Sequence, residues 1–296
     1  MSLDDVKEKL IKVFELFIAK ASSELPVDVV NALNQAYEAE TSPFSKSFYE
    51  AYFKNLNEAK AYRIPICQDT GSLMFFVKAG TKFPYLNLIN EAIVEATRRA
   101  TRNIPLRPNA VDPFTHVNSG DNTGLYVPFI EVELVPNDDK LQVYIYPAGG
   151  GSSLPGTAKV FPPGLGLKAV KELVVETIAK YGPNACPPLI VGVGIAATAE
   201  VAALLAKKAL LRTIGTRHPN PEAAKFELEL KEMLNELNIG AQGVGGKTSV
   251  LEVFVEYAYR HPASLAAAVV VGCWVHRRGL LIVYPDLTYE MPLYAR

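Results

Sequence analysis

Seven consecutive residues, Pro65-Ile66-Cys67-Gln68-Asp69-Thr70-Gly71, set a thiol, an amide, a carboxylate and a hydroxyl side by side. A thiolate is a nucleophile or soft metal ligand, a carboxylate moves protons, and an amide orients a polar substrate. Gly71 closes the run with a residue able to take positive φ, which places the groups on a turn. Loops that crowd reactive groups onto a rigid edge are more often sites than connectors. The same residues also make an Asx turn with Cys67 tucked in as a small hydrophobe. The local sequence leaves both readings open.

Two further cysteines, Cys186 and Cys273, lie far along the chain, and no C-x-x-C pair occurs. An odd number of widely spaced cysteines does not describe a disulfide framework or a zinc ribbon. Each sits at an element edge: Cys67 before a strand, Cys186 before the buried run Leu189–Val193, and Cys273 in Val271-Gly272-Cys273-Trp274. Separately, each reads as an inert buried thiol. Together, three thiolates can hold an iron–sulfur cluster whose fourth iron has no protein ligand, the open position a Lewis acid needs.

Three glycine-rich runs suggest anion contacts. Ala148-Gly149-Gly150-Gly151-Ser152-Ser153 is a backbone nest or a flexible loop. Gly192-Val193-Gly194-Ile195-Ala196-Ala197 fits the dinucleotide fingerprint, but no second strand ending in an acid follows. Close strand-to-helix packing explains those glycines equally well. Ala241-Gln242-Gly243-Val244-Gly245-Gly246-Lys247-Thr248 is nearly a P-loop, yet its first position is Ala241 and a polar helix precedes it. It fails as an NTPase motif and stays open as an anion loop.

The elements that must position these groups follow from periodicity. Helices are expected over the N-terminal twenty residues, Leu25–Glu40, Ser42 to Ala61, Leu86–Arg102, Leu165–Tyr181, Ala196–Leu211 and Pro221–Leu237. Strands are expected at Ser72–Ala79, Leu125–Leu134, Leu141–Tyr146, Leu189–Val193, Ser249–Tyr257, Leu265–Val275 and Leu280–Tyr284. Asn137-Asp138-Asp139 and Arg277-Arg278-Gly279 read as hairpin turns. The long loop from Asn103 to Gly124, carrying Arg107, is of a length that is usually functional. The expected fold is mixed α/β, a single domain over 1–296 with a mixed sheet flanked by helices. It has a helical segment at 1–62 and a core at 63–296.

Lys and Arg number 30 against 31 Asp and Glu, for a net charge of −1, with no basic or acidic block. That argues against nucleic acid and anionic membranes as partners. No run is long and apolar enough for a membrane span and no signal-peptide core opens the chain, so a cytoplasmic location is expected.

As an ordered set, Ile66–Gly71, Asn118–Gly124, Gly149-Gly150-Gly151-Ser152, Cys186-Pro187-Pro188, Gly192-Val193-Gly194, Gly243–Thr248 and Gly272-Cys273-Trp274 resemble one family. It is the alpha subunit, or N-terminal half, of class I iron–sulfur fumarate hydratase and its relative L-tartrate dehydratase. The resemblance implies an oxygen-sensitive [4Fe–4S] cluster held by Cys67, Cys186 and Cys273. It implies Gln68, Asp69, Arg107, Gly150 and His261 as contacts to a C4 dicarboxylate; Asp69, next to the expected cluster, is the candidate acid/base. The expected reaction is reversible hydration of fumarate to malate, with L-tartrate or a mesaconase-type substrate as the alternatives. A cluster-free anion or nucleotide module is the non-enzymatic alternative. The single-chain form carries a second, C-terminal domain with more anion-binding residues and the proposed base. Here the sequence stops at Arg296, so the resemblance implies a separate beta subunit, with alpha–alpha dimerisation inside a heterotetramer.

Overall fold

Ser2 opens the first helix with a reciprocal capping box: its hydroxyl accepts from Asp5 N–H, and the Asp5 side chain accepts from Ser2 N–H. The computed structural model describes residues 2–294. In chain order the elements are α1 (Leu3–Ser23), α2 (Val27–Ala39), α3 (Pro43–Tyr62), β1 (Ser72–Gly80), α4 (Ile89–Asn103), β2 (Phe129–Val135), β3 (Leu141–Ala148) and the single turn α5 (Gly150–Ser153). They continue with β4 (Thr157–Phe161), α6 (Gly166–Tyr181), β5 (Leu189–Ala196), α7 (Ala199–Ala209), α8 (Pro221–Asn235), β6 (Val250–Tyr257), β7 (Leu265–Gly272), β8 (Gly279–Val283) and β9 (Tyr289–Glu290). The mixed α/β class expected from the sequence is what forms. Its strands are divided between two mixed sheets, ordered β2-β1-β3-β8-β9 and β4-β7-β5-β6.

Backbone contacts separate the chain into two compact units. One comprises Met1–Val27, Lys54–Gly149 and Arg277–Arg296; the other comprises Asp28–Phe53 and Gly150–His276. In the first, alternate residues Leu73, Phe75, Val77 and Ala79 of β1, Val143 and Ile145 of β3, and Leu281 of β8 form one apolar face. Phe14, Phe17 and Ile18 of α1 and Ile93 and Ala96 of α4 cover that face. In the second unit, Leu189, Val191, Val193, Val253, Val255, Val269 and Val271 face α6 and α8. The opposite face is made of small residues, Ala196, Ala266 and Ala268, against Ala202 and Ala206 of α7.

Gly192 and Gly194 belong to that small face. A Cβ on Gly194 would stand 1.8 Å from the Ala202 carbonyl oxygen, and one on Gly192 would stand 2.1 Å from that of Ala206. The fingerprint-like glycines are therefore the floor on which α7 rests.

Both expected hairpins are absent. β2 and β3 do not pair; β1 lies between them, parallel to β2 and antiparallel to β3. β7 and β8 belong to different sheets, so Arg277-Arg278-Gly279 is no hairpin turn but the stretch that leaves one sheet and starts in the other. Arg277 and Arg278 are buried there, at 3% and 1% exposure. Leu86–Leu88 forms a 3-10 turn rather than the first turn of α4.

Candidate active site

The loop Ile66–Gly71 is pinned at both ends. Ile66 N–H donates to the Ser22 carbonyl at 3.0 Å, and the Ile66 carbonyl accepts from Asn55 Nδ2 at 2.8 Å. Asp69 Oδ1 accepts from Gly71 N–H at 3.0 Å, an Asx turn that sets the direction of the carboxylate. Gly71 has φ +78°, and a Cβ there would meet the Pro147 carbonyl carbon at 2.8 Å. No other residue fits. Cys67 and Asp69 are half-buried and Gln68 is exposed.

The long loop comes to this turn through Thr70. The buried Thr70 hydroxyl donates to the Arg107 carbonyl at 3.2 Å and accepts from Arg107 N–H at 3.1 Å. Asn109 Nδ2 reaches the Gly71 carbonyl at 3.1 Å. Asn122, from the Asn118–Gly124 run, accepts from Asn109 N–H at 2.6 Å and donates to the Arg107 carbonyl at 3.1 Å. The loop is thus a clasp that presents Arg107 beside the Cys67–Asp69 turn. The Arg107 side chain is exposed. From the C-terminal segment, Arg277 Nη2 donates to the Asp69 carbonyl at 2.7 Å.

In the second unit, β5 and β7 run antiparallel with Ile190 opposite Gly272, so Cys186 and Cys273 lie at the same end of the sheet. Trp274 N–H donates to the Cys186 carbonyl at 3.0 Å. The Trp274 ring stacks on Tyr52 with centroids 3.8 Å apart and planes 11° from parallel. The Tyr52 hydroxyl donates to the Pro187 carbonyl at 3.2 Å. Burial pushes that hydroxyl well above the usual tyrosine range, with Cys186 and Cys273 close enough to add to the effect. Cys186 takes the left-handed conformation, φ 56°, and is exposed. The one-turn α5 containing Gly150 packs against β7 and the Gly182–Ala185 turn that leads into Cys186.

The near P-loop is at this end too, because β6 starts parallel to β5. Its anion is internal. The Glu40 carboxylate, 2% exposed, accepts from Lys247, Thr41 and Ser42 N–H at 3.0, 2.8 and 2.9 Å. A Cβ on Gly246 would be 2.4 Å from Glu40 Oε2. Burial raises the Glu40 pKa, but these backbone donors and Ser45 outweigh it and hold the group below its ordinary range. Such a carboxylate stabilises the fold above its unfolded pKa and loses that contribution as pH falls through the folded value. Glu40→Gln is expected to cost about 3 kcal/mol at pH 7. Its melting temperature should converge on that of the parent as pH is lowered from 6 to 3; a gap that stays constant would refute this role.

The sequence model of the family described as Fumarate hydratase (Fumerase) matches residues 11–281. The chain belongs to the fumarate hydratase family. It is similar to the L(+)-tartrate dehydratase subunit alpha of Escherichia coli (strain K12), 48% identical over 282 residues, covering 95% of this chain and 93% of that one. The protein of the same name from Shigella boydii serotype 4 (strain Sb227) matches with the same identity and coverage. The family is one of hydro-lyases, enzymes that add water across a carbon–carbon double bond or release water to form one.

The residues suit an iron–sulfur group of the kind the fumarate hydratase resemblance implies. None of the three thiols is in a disulfide, each is at least partly accessible, and Cys186 and Cys273 share the rim of one aromatic stack. Among the described residues no His, Cys, Asp or Glu side chains converge on a single metal ion. A cubane does not require that, since each thiolate ligates its own iron.

His261 is placed differently. It is exposed on the β6–β7 connection, its Nδ1 accepting from Ala263 N–H at 3.1 Å. The whole of β7 separates it from Cys273, roughly 27 Å at the rise of an extended strand. Within one chain of this fumarate hydratase relative, His261 and Cys273 do not meet. Sequence reasoning missed Arg277 beside the Cys67–Asp69 turn and, in the second unit, Tyr52, Trp274 and Glu40. Only Trp274 carried a signal, as the neighbour of a candidate ligand. Among the described residues no helix is long and apolar enough to cross a membrane.

Proposed function

We propose that the chain is the alpha subunit of a two-subunit [4Fe–4S] hydro-lyase acting on a C4 dicarboxylate. Reversible hydration of fumarate to malate is the reaction expected from the family. Dehydration of L(+)-tartrate is the second reading, and the 48% identity to named tartrate dehydratase alpha subunits favours it. The observation that carries the proposal is the pinned Cys67-Gln68-Asp69 turn with Arg107 held beside it.

Cys67, Cys186 and Cys273 would hold the cluster, which when bound supplies an iron without a protein thiolate as a Lewis acid. The Arg107 guanidinium pairs with one substrate carboxylate in a charge-assisted contact. Gln68 orients the diacid through its amide. Gly150 lets the backbone of the glycine run approach the ligand without a side chain of its own. Asp69 moves the hydroxyl proton: a carboxyl oxygen gives it to the departing hydroxide in dehydration and takes it from water in hydration. The Asx turn keeps that carboxylate from rotating away. The proton on the neighbouring carbon is left to a base on the beta subunit. His261 serves as a substrate contact only if a second alpha chain brings it to the pocket, in keeping with an alpha dimer within a heterotetramer. Cytoplasmic location completes the proposal.

Anaerobic co-purification with the beta subunit, followed by iron, sulfide and turnover assays, tests it. About four irons per alpha chain, and activity on malate or L(+)-tartrate only when both subunits are present, is the expected result. No iron after reconstitution, or full turnover by the alpha chain alone, would refute it. The ratio of kcat/KM for the two substrates decides between the readings.

A further inference from the structure

Arg277 is a buried cation with most of its hydrogen-bonding capacity unspent. It is 3% exposed, and one Nη2 bond to the Asp69 carbonyl is its hydrogen bond to the protein. Nε–H and both N–H bonds of Nη1 are buried without a partner among the described residues. The contrast within the molecule is direct. Arg212 and Arg217, only half-buried, each hold a carboxylate, Glu227 at 2.6 Å and Glu252 at 2.8 Å. Among the described residues Arg277 holds only a neutral oxygen. Taking a guanidinium out of water without an anion is unfavourable, and natural interiors leave such donors unmatched only where something else completes them.

The anchoring point identifies what completes it. The guanidinium is fixed to the peptide of Asp69, one residue from Gln68 and two from Cys67. Arg107 is fixed to Thr70 in the same turn. One short turn thus carries two arginines, one exposed and one buried. We propose that Arg277 is a substrate-binding residue that clamps one carboxylate of the diacid, with Arg107 taking the other. The two N–H bonds of Nη1 lie in the guanidinium plane and give a directional grip on a carboxylate oxygen, which a lysine cannot match. This inference rests on the hydro-lyase reading for the identity of the anion, and it adds a residue and a selectivity: a C4 diacid is preferred over a C4 monoacid because the turn is tied to two arginines, Arg277 through its guanidinium and Arg107 through its backbone.

The test uses the anaerobically prepared alpha–beta complex, with succinate as an unreactive C4 diacid and butyrate as the monoacid, both measured by calorimetry. Arg277→Met is expected to weaken succinate binding about 100-fold, and Arg277→Lys about 10-fold, with iron content unchanged. KM should rise in Arg277→Lys with a smaller change in kcat. In the absence of any diacid, Arg277→Met should melt at or above the parent temperature, because an uncompensated buried charge has been removed. A purely structural arginine predicts the reverse, a lower melting temperature with parental succinate affinity, and that result overturns the proposal. So does loss of alpha–beta association with succinate binding retained, which would make the anion a carboxylate of the partner. A parent complex without iron or turnover whose succinate affinity still depends on Arg277 would sink the hydro-lyase reading and leave this site standing. A parent with both, indifferent to Arg277→Met, would sink this inference alone.

Discussion

Cys186→Ser is expected to leave the alpha chain folded while removing its iron and lowering turnover of the assembled enzyme by about 1000-fold or more. The size follows from the chemistry assigned to the cluster. A Lewis acid at a developing charge contributes several kcal/mol, and each 1.36 kcal/mol is a decade in rate. The fold should survive because Cys186 is exposed and its link to Trp274 runs through its carbonyl, which serine keeps. Serine also tolerates the left-handed backbone there no worse than cysteine does. The measurement is iron per chain, circular dichroism and initial rate on one preparation. Parental iron and rate in Cys186→Ser would end the cluster reading. Loss of rate with loss of helical signal would mean that the residue is structural. Cys67→Ser and Cys273→Ser should behave alike, since a cubane that loses any one of its three anchors is released.

The largest stability effect is expected at a residue with no chemistry. Gly194→Ala puts a methyl 1.8 Å from the Ala202 carbonyl oxygen and 2.7 Å from the Ala206 nitrogen. Ordinary carbon–oxygen contacts are about 3.3 Å, so α7 must lift off the sheet by more than an ångström. Lifting it strips the packing of Ala202 and Ala206 on Ala266 and Ala268, which are all fully buried. Overpacking a well-filled core costs about 1–3 kcal/mol, and a collision with helix backbone belongs above that range. Against a typical stability of roughly 5–15 kcal/mol, a cost of about 4 kcal/mol or more should sharply reduce soluble yield. Gly151→Ala is the control, because its Cβ would meet nothing within 4 Å. A Gly194→Ala protein melting within about 2 °C of the parent would show that α7 is not held on this floor.

How much of this was legible depended on the range of the interaction. Helix α4 could be read from Ile89, Ala92, Ile93 and Ala96, because a 3.6-residue period is local. Strand order could not. Asn137-Asp138-Asp139 has the composition of a hairpin turn, yet β1, some fifty residues earlier, inserts between the strands it joins. Nothing in a window of local sequence reports that insertion. The thiols and the Gln-Asp pair stood out only through the ordered set of motifs, because locally the same residues make an Asx turn around a small hydrophobe. Arg277 was hidden because its partner, the Asp69 carbonyl, is two hundred residues away and has no side-chain signature. The glycine loop Ala241–Thr248 was open as an anion loop, and one of its amides, Lys247 N–H, does meet a carboxylate. What sequence could not supply is that the anion is the chain's own Glu40.

The discontinuity of the first unit has a consequence for how the protein is made. β3 lies inside its sheet only because β8 pairs with it, Leu141 opposite Val283. On a ribosome, Leu141–Ala148 would emerge and wait through more than a hundred further residues with that edge unpaired. A bare apolar strand edge is a template for the wrong partner. At roughly 5–20 residues per second the wait is about seven to twenty-seven seconds. The second unit, drawn mostly from the intervening chain, can assemble during that interval, so the sequence that is translated in the middle is poised to fold before the sequence that was translated first.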